Sequence, residues 1–441
     1  MSTSIEKASI HKVSFSTAHR DMNENKNKNE RLRPSMQPNK KMKSHVGRGI
    51  EEVQVIDFFS GCGGMSFGFH TATARNVKYR VLGGLDIDRH ANATYERMLK
   101  KPAIMNDIRR LTDRESLEEA LSQWGYDSSK PLILIGCAPC QGFSSHRKKD
   151  PREDERNELL AAFGAIVLAL EPALVVMENV PEMLQKKYWK HYEAFSSQLE
   201  EHGYITRARL HNLASFGVPQ ERYRALVLSS RLSHRTEMPR PTHAPSKFVS
   251  VRDAIGELPP LSAGEECKHD PMHKTSKHRR ETIELLKLIP HDGGSRKSLP
   301  DGVGPQCHTK VDGFRDVYGR LWWDRPAVAI TARCRTPSCG RFVHPTQDRG
   351  LSVREAGLLQ GFPANYHFEG PFDDKFKQIG NAVAPTFARA LAEHIDQAWV
   401  GEAVSTSLEE DVRAPIEKSI SSALAGMKRR LRLAEQEAEV A

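Results

Sequence analysis

The sequence predicts an α/β fold in which a parallel sheet collects its chemistry along one edge, and three stretches predict it. Val53 to Gly68 is an apolar strand that runs into a glycine-rich turn and a helix. Pro131 to Ser144 is a second apolar strand, Leu132 to Gly136, that leads straight into a turn carrying Cys140. Leu174 to Pro181 is a third, ending in Glu178 and Asn179. Short unbroken apolar runs of this kind suit strands buried on both faces of a sheet flanked by helices. The carboxyl ends of such strands form the edge where ligands of open α/β sheets bind.

The chain of 441 residues is long enough for two or three domains. Its 65 basic and 56 acidic residues leave a net charge of +9, which suits a nucleic-acid partner but is shared by many unrelated proteins. Seven cysteines, at 62, 137, 140, 267, 307, 334 and 339, form an odd set with no regular disulfide spacing. A reducing, cytoplasmic setting is therefore expected. No charged segment followed by an apolar core opens the chain, and no apolar run approaches the length that spans a bilayer, so no membrane partner is expected.

In chain order, residues 1–50 are polar and basic, read as a disordered arm. In the turn after the first strand, Gly61, Gly63 and Gly64 resemble a dinucleotide loop, but Ser66 stands where its third glycine belongs. Tyr79 to Asp86 reads as the next strand, ending about twenty residues past the glycines in a carboxylate able to accept from ribose hydroxyls. Asp107 closes a third short strand and has two readings, a partner for an adenine amino group or a cap on a helix over Arg109 to Ala120. Pro139 and Gly142 give Cys140 a stiff local frame. Taken alone, Cys137-Ala-Pro-Cys140 reads as a dithiol redox pair, half a zinc site, a single nucleophile or a buried pair.

Ser144 to Arg156 is polar and is expected to form a loop, and Asn157 to Leu170 an apolar-faced helix. A cysteine and a glutamate brought to the same sheet edge give a nucleophile and an acid/base group facing one pocket. Residues 182–202 read as an amphipathic helix, and Tyr204 to Leu210 with Arg224 to Ser229 as a strand pair. Alternation would put Gln220, Arg222 and Arg224 on one face, where two arginines can grip a phosphate or a base oxygen. From about 231 to 350 the composition turns to Pro, His, Lys and Gly with weak periodicity, read as a second, smaller domain. Cys267 to Arg280 holds possible zinc ligands, but their spacing fits phosphate-facing basic loops better, and no metal is expected. Trp322 and Trp323 read as core first, with base stacking as the alternative. Ser352 and Glu355 form a capping-box pattern, Gln378 to Pro385 leads into a long helix to about Val400, and the charged tail suggests a helix from Ala414 to Val440.

These residues resemble the DNA cytosine-5 methyltransferases over roughly 53–400. The blocks that carry the resemblance stand in that family's order: Asp57 to Gly64, Pro139-Cys140-Gln141, Glu178-Asn179-Val180, Gln220 to Arg224, Arg354-Glu355 and Gly380 to Val383. Asp86 departs from the glutamate that many members carry. The resemblance implies a Rossmann-like, S-adenosylmethionine-dependent methyltransferase sheet, over 53–232 plus 376–402, with a smaller, irregular target-recognition domain over 233–375 and a charged tail over 403–441. It implies that Phe59 and the turn Gly61, Cys62, Gly63 and Gly64 approach the cofactor, Asp86 its ribose, Ile87, Asp107 and Ile108 its adenine, with Asn381 completing the pocket. That ligand has no pyrophosphate, which accounts for the missing third glycine.

The implied chemistry needs both Cys140 and Glu178. The Cys140 thiolate adds to C6 of cytosine, so that C5 becomes nucleophilic enough to take the methyl group. Glu178 hydrogen-bonds N3 and the exocyclic amine, Arg224 holds the base carbonyl, and Arg222 orients the active-site loop or a phosphate. The base must be flipped from the duplex, at a cost of about a few kcal/mol, and the loop from Ser144 to Arg156 is the candidate to close over it. The resemblance implies double-stranded DNA as partner, a monomer, a nucleoid-associated place in the cytoplasm and a stand-alone bacterial modification enzyme paired with a restriction endonuclease. Three rivals remain: a thioredoxin-like oxidoreductase built on Cys137 and Cys140, a non-catalytic DNA-binding relative, and an RNA methyltransferase of the same family. The last carries a reduced recognition region, whereas well over a hundred residues separate Arg224 from Arg354 here.

Overall fold

Continuous apolar runs become the middle strands of one seven-stranded sheet. The computed structural model describes residues 50–138, 153–300, 303–304, 316–402 and 410–429. The sheet contains β1 (Glu51–Phe58), β2 (Val77–Asp86), β3 (Ala103–Met105), β4 (Leu132–Gly136), β5 (Leu174–Asn179), β6 (Ile205–Asn212) and β7 (Tyr223–Ser230). Its order is β3-β2-β1-β4-β5-β7-β6. The first five strands run parallel, and β7 lies antiparallel between β5 and β6. Every residue of β4 and β5 is buried, as expected of a sheet covered on both faces.

The period of two sorts each strand between two cores. Ile56, Phe58, Leu132, Leu134, Val175, Met177, Ala225 and Val227 face α3 (Arg114–Trp124), α4 (Glu153–Leu170) and α5 (Trp189–Glu200). Val53, Val55, Ile133, Ile135, Leu174, Val176, Leu226 and Leu228 face α1 (Gly64–Thr71) and α10 (Pro385–Trp399). The latter two helices touch closely: a Cβ on Gly68 would lie 2.4 Å from that of Ala388. Between β2 and β3 runs α2 (Arg89–Leu99), whose first turn is capped by Asp88.

Several expected elements differ in extent. The helix expected over Arg109 to Ala120 is a 3-10 turn, Ile108–Thr112, followed by α3, because Asp113 ends the first and caps the second through Ser116 N. The helix expected over 182–202 is also split, into a 3-10 turn, Pro181–Leu184, and α5, with Gln185 between them drawn into a bridge with Ile416. The loop expected from Ser144 to Arg156 is shorter, since α4 begins at Glu153. The rest of that loop, the 1–49 arm and Cys140 itself lie outside the described residues.

Between β7 and α9 (Phe372–Asn381) regular structure is sparse: the hairpin Glu266–Cys267 with Asp270–Lys274, α6 (Val251–Ile255), α7 (Arg280–Lys287) and α8 (Val353–Leu359). Buried main-chain oxygens here are satisfied by arginines. Arg320, fully buried, donates to the carbonyls of Leu286, Ile289, His344 and Gln347 and contacts Asp348. Arg349 binds the Glu355 carboxylate with two nitrogens, at 2.7 and 2.8 Å, and the carbonyls of Leu261 and Gly350. Arg341 donates to the carbonyls of Gly293, Gly294 and Arg320. The Ser352–Glu355 capping box forms as the sequence predicts. Trp323 packs against the apolar cluster of this region, whereas Trp322 is partly buried with its ring flanked by Arg325 and Arg341.

One apolar cluster joins this region to the sheet domain, holding Cys62, Ile330, Leu359, Tyr366, Phe376 and Ile379 together. The expected boundary at 376 therefore falls inside α9. The described part of the tail, 410–429, folds back on edge strand β6: Asp411 accepts from Arg207 and Arg209, and Val412 N donates to Ala208 O. Its helix spans 420–429 within the described residues, rather than starting at 414. No helix among the described residues is long and apolar enough to cross a membrane.

Candidate active site

The carboxyl ends of β1, β2 and β3 form the first half of the site. Phe59 leaves β1 with φ 58°, a conformation rare for a residue with a side chain, and packs its ring edge-on against Phe163. The turn that follows needs glycine for two reasons. Gly61 and Gly63 have φ of 51° and 86°, and an added Cβ on Gly64 would lie 2.1 Å from the Val383 carbonyl oxygen. Glycine at 64 thus lets the segment between α9 and α10 press against the start of α1. Asn381 stands exposed at the end of α9, beside that contact.

Asp86 braces this turn. Its two oxygens accept from Gly61 N at 2.8 Å and Asp88 N at 2.9 Å. Burial raises its pKa, an effect the amide bonds oppose. Below the turn, buried Asp57 accepts from Ser66 Oγ at 2.7 Å, and Ser66 in turn meets Tyr95 Oη. Burial pushes the Asp57 carboxyl up to about 7.

Beyond the turn, Ile87 and Met105 are 72% and 64% exposed, unusual for side chains that flank a cavity. They line a cleft of about 450 Å³ with Asn106, Asp107, Arg109 and Arg110. Asp107 here serves the capping role, accepting from Arg109 N at 2.9 Å, and is also gripped by the Arg109 guanidinium, whose hydrogen bond lowers its pKa. Two expected residues turn inward. Ile108 is buried in the core, and the Cys62 side chain is buried under Tyr366, with its thiol pKa raised by burial. Met105 was not anticipated; the signal was an apolar residue at the end of a three-residue strand too short to cover it.

The second half of the site lies at the ends of β4, β5 and β7. Glu178 is 2% exposed and belongs to the face of β5 that carries Leu174 and Val176. Arg224 shares that face by alternation with Leu226 and Leu228. Its Nε stands 2.9 Å from Glu178 Oε1 as an ion pair, while Nη1 donates to Tyr223 O at 2.7 Å. The other carboxylate oxygen, Oε2, accepts from Cys137 Sγ at 3.1 Å. Oε1 accepts no hydrogen bond among the described residues. Asn179 Nδ2 donates to Ala138 O at 3.2 Å, so two residues of β5 hold the turn that continues to Cys140.

Arg222 does not project beside Arg224. It is buried, and its two terminal nitrogens donate to the carbonyls of Ile330, at 2.7 Å, and Gly380, at 3.0 Å. Gln220 likewise ties Ile330 N to Leu359 O and the Gln360 side chain. The chain breaks between the strand Gln220–Glu221, which pairs with Ala327–Val328, and β7, so single alternation does not run through 220–224. In the basic run, His273 is buried with its ring nitrogens at Ser352 Oγ and Pro259 O.

The family model of the C-5 cytosine-specific DNA methylases matches residues 53–397. The chain is 36% identical over 350 residues to the type II methylase M.HgiDII of Herpetosiphon aurantiacus, covering 77% of this chain and 94% of that protein. It is 32% identical to the type II methyltransferase M1.HphI of Haemophilus parahaemolyticus, over 77% and 86% of the two chains. Among solved structures, a prophage-encoded E. coli protein described as a DNA modification methyltransferase aligns with a TM-score of 0.59 at 22% identity, over 77% of this chain and 97% of its own.

Proposed function

This chain belongs to the C-5 cytosine-specific DNA methylases and is a DNA cytosine-5 methyltransferase; on that premise we propose that it acts on a cytosine flipped out of duplex DNA, with Cys140 as nucleophile and Glu178 and Arg224 holding the ring. The observation that carries this reading is the Glu178 carboxylate. One buried oxygen accepts no hydrogen bond among the described residues, although the other is held and a guanidinium lies beside it. Its ion pair with Arg224 offsets the charge but leaves lone pairs on that oxygen for a further donor. Cytosine offers such an N–H in its exocyclic amine. Arg224, held on Tyr223 O, stands where it can donate to the base carbonyl.

S-adenosylmethionine, when bound, supplies the methyl group. The residues present fit its adenosine part: the exposed pair Ile87 and Met105 offers apolar cover for a ring, Asp107 an acceptor, and Asp86 keeps lone pairs beyond its two amide bonds. Cys140 adds to C6 and leaves again when C5 loses its proton, so the aromatic ring is restored and the thiolate regenerated. Arg222 serves by position, holding the Gly380 carbonyl next to Asn381 and so fixing one wall of the pocket to β7. The region 233–375 takes the place of a target-recognition domain. The type II relatives support a modification role alongside a restriction endonuclease.

Duplex DNA containing 5-fluorocytosine tests the proposal directly, because the fluorine blocks loss of the C5 proton and traps the covalent adduct. The wild-type chain forms a denaturation-resistant complex with it and Cys140→Ser does not. Bisulfite sequencing of DNA from expressing cells then gives the modified context. An unmethylated genome, or a Cys140→Ser chain as active as wild type, refutes the mechanism.

A further inference from the structure

The turn between β4 and the nucleophile carries a thiol that the proposed mechanism leaves unused. Gly136 pairs with Met177 in the parallel β4–β5 ladder, so the next residues in register are Cys137 and Glu178. Alternation puts both on the face of the sheet that carries Ile133, Ile135, Leu174 and Val176. They meet: Cys137 Sγ donates to Glu178 Oε2 at 3.1 Å. The Cys137 amide is fixed as well, donating to Phe58 O at 3.3 Å, so the thiol has little freedom to leave.

We infer that Cys137 is a positioning residue for Glu178, holding one carboxylate oxygen so that the other faces the base. The inference rests on the proposed catalytic role of Glu178. The two contacts on the carboxylate divide the work. Arg224 approaches Oε1 from β7 but leaves it without a hydrogen bond, so the guanidinium alone does not fix the carboxylate's rotation. Cys137 approaches Oε2 from β4 and does fix it.

The test uses the full chain carrying Cys137→Ser, which keeps a donor, and Cys137→Val, which keeps the volume without one. Hydrogen bonds to charged groups are worth enough that kcat of Cys137→Val falls about tenfold. KM for S-adenosylmethionine stays unchanged. Cys137→Ser restores kcat. Cys137→Ala is read alongside, so that a poorly folding valine variant leaves a donor-free chain to measure. The inference is overturned if the donor-free variants match wild type in kcat, or if serine fails as badly as they do, which would make the role one of packing. Glu178→Ala and Cys140→Ser separate this from the parent reading: if either methylates normally, the catalytic assignment itself fails.

Discussion

Gly64→Ala isolates the contact between the glycine turn and Val383, on the side of the site proposed for the cofactor. Gly64 is the first residue of α1 and has no positive φ, so helix propensity alone predicts that alanine stabilises, by about 1 kcal/mol. The packing predicts the opposite. The new Cβ would lie 2.1 Å from the Val383 carbonyl oxygen, and backbone must retreat by about 0.9 Å to reach 3.0 Å, the closest approach that real Cβ atoms make. Val383 precedes α10, which is packed on α1, so the retreat is resisted from behind. Forced overpacking costs about 1–3 kcal/mol, which corresponds to about a 5- to 150-fold change in an equilibrium constant. Titration calorimetry with S-adenosylmethionine is therefore expected to show weakened affinity within that range. Gly125→Ala is the control: its φ of 63° makes alanine strained, but nothing lies within 4 Å of the added atom, so thermal stability falls while cofactor affinity holds. A Gly64→Ala chain that binds the cofactor within twofold of wild type refutes the reasoning.

Two other changes probe buried charge. Asp57 titrates near 7 when folded and near 3.8 otherwise, so between those values the folded chain holds a proton the unfolded chain has released. Its contribution to stability is full below about pH 4 and is lost as pH rises through 7; melting curves at pH 5 and pH 8 should differ less for Asp57→Asn than for wild type. Glu355 has the opposite sign, held down at about 2 by Arg349, so its contribution is present above 4.5 and lost as pH falls through 2. Arg349→Met strands a buried carboxylate and is expected to cost about 3–5 kcal/mol at neutral pH, read from the urea midpoint; an unshifted midpoint disproves it.

The middle of the sheet was legible because β1, β4 and β5 are apolar on both faces, and few arrangements other than a covered parallel sheet produce that pattern. Glu178 and Arg224 were each singled out, but not as neighbours, because nothing in either stretch shows that β7 lies against β5. Cys137 was equally accessible to the same counting, since it follows Ile133 and Ile135 by twos, but its spacing to Cys140 drew attention to redox and metal chemistry instead. Arg222 was misplaced because the chain breaks at 222, and a two-residue strand leaves no periodic trace. The resemblance alone places Ile108 at the adenine; that the 3-10 turn buries its side chain in the core is written in no local pattern. Residues 231–371 were the least legible. Their order comes from long-range contacts of single arginines, which no local pattern encodes.

Those arginines have an evolutionary consequence. A guanidinium that binds main-chain oxygens is blind to the side chains those residues carry, so Arg320 holds positions 286, 289, 344 and 347 in place whatever stands there, provided it fits. A frame fastened in this way lets the exposed stretches between its anchor points drift in sequence while the scaffold beneath keeps its shape.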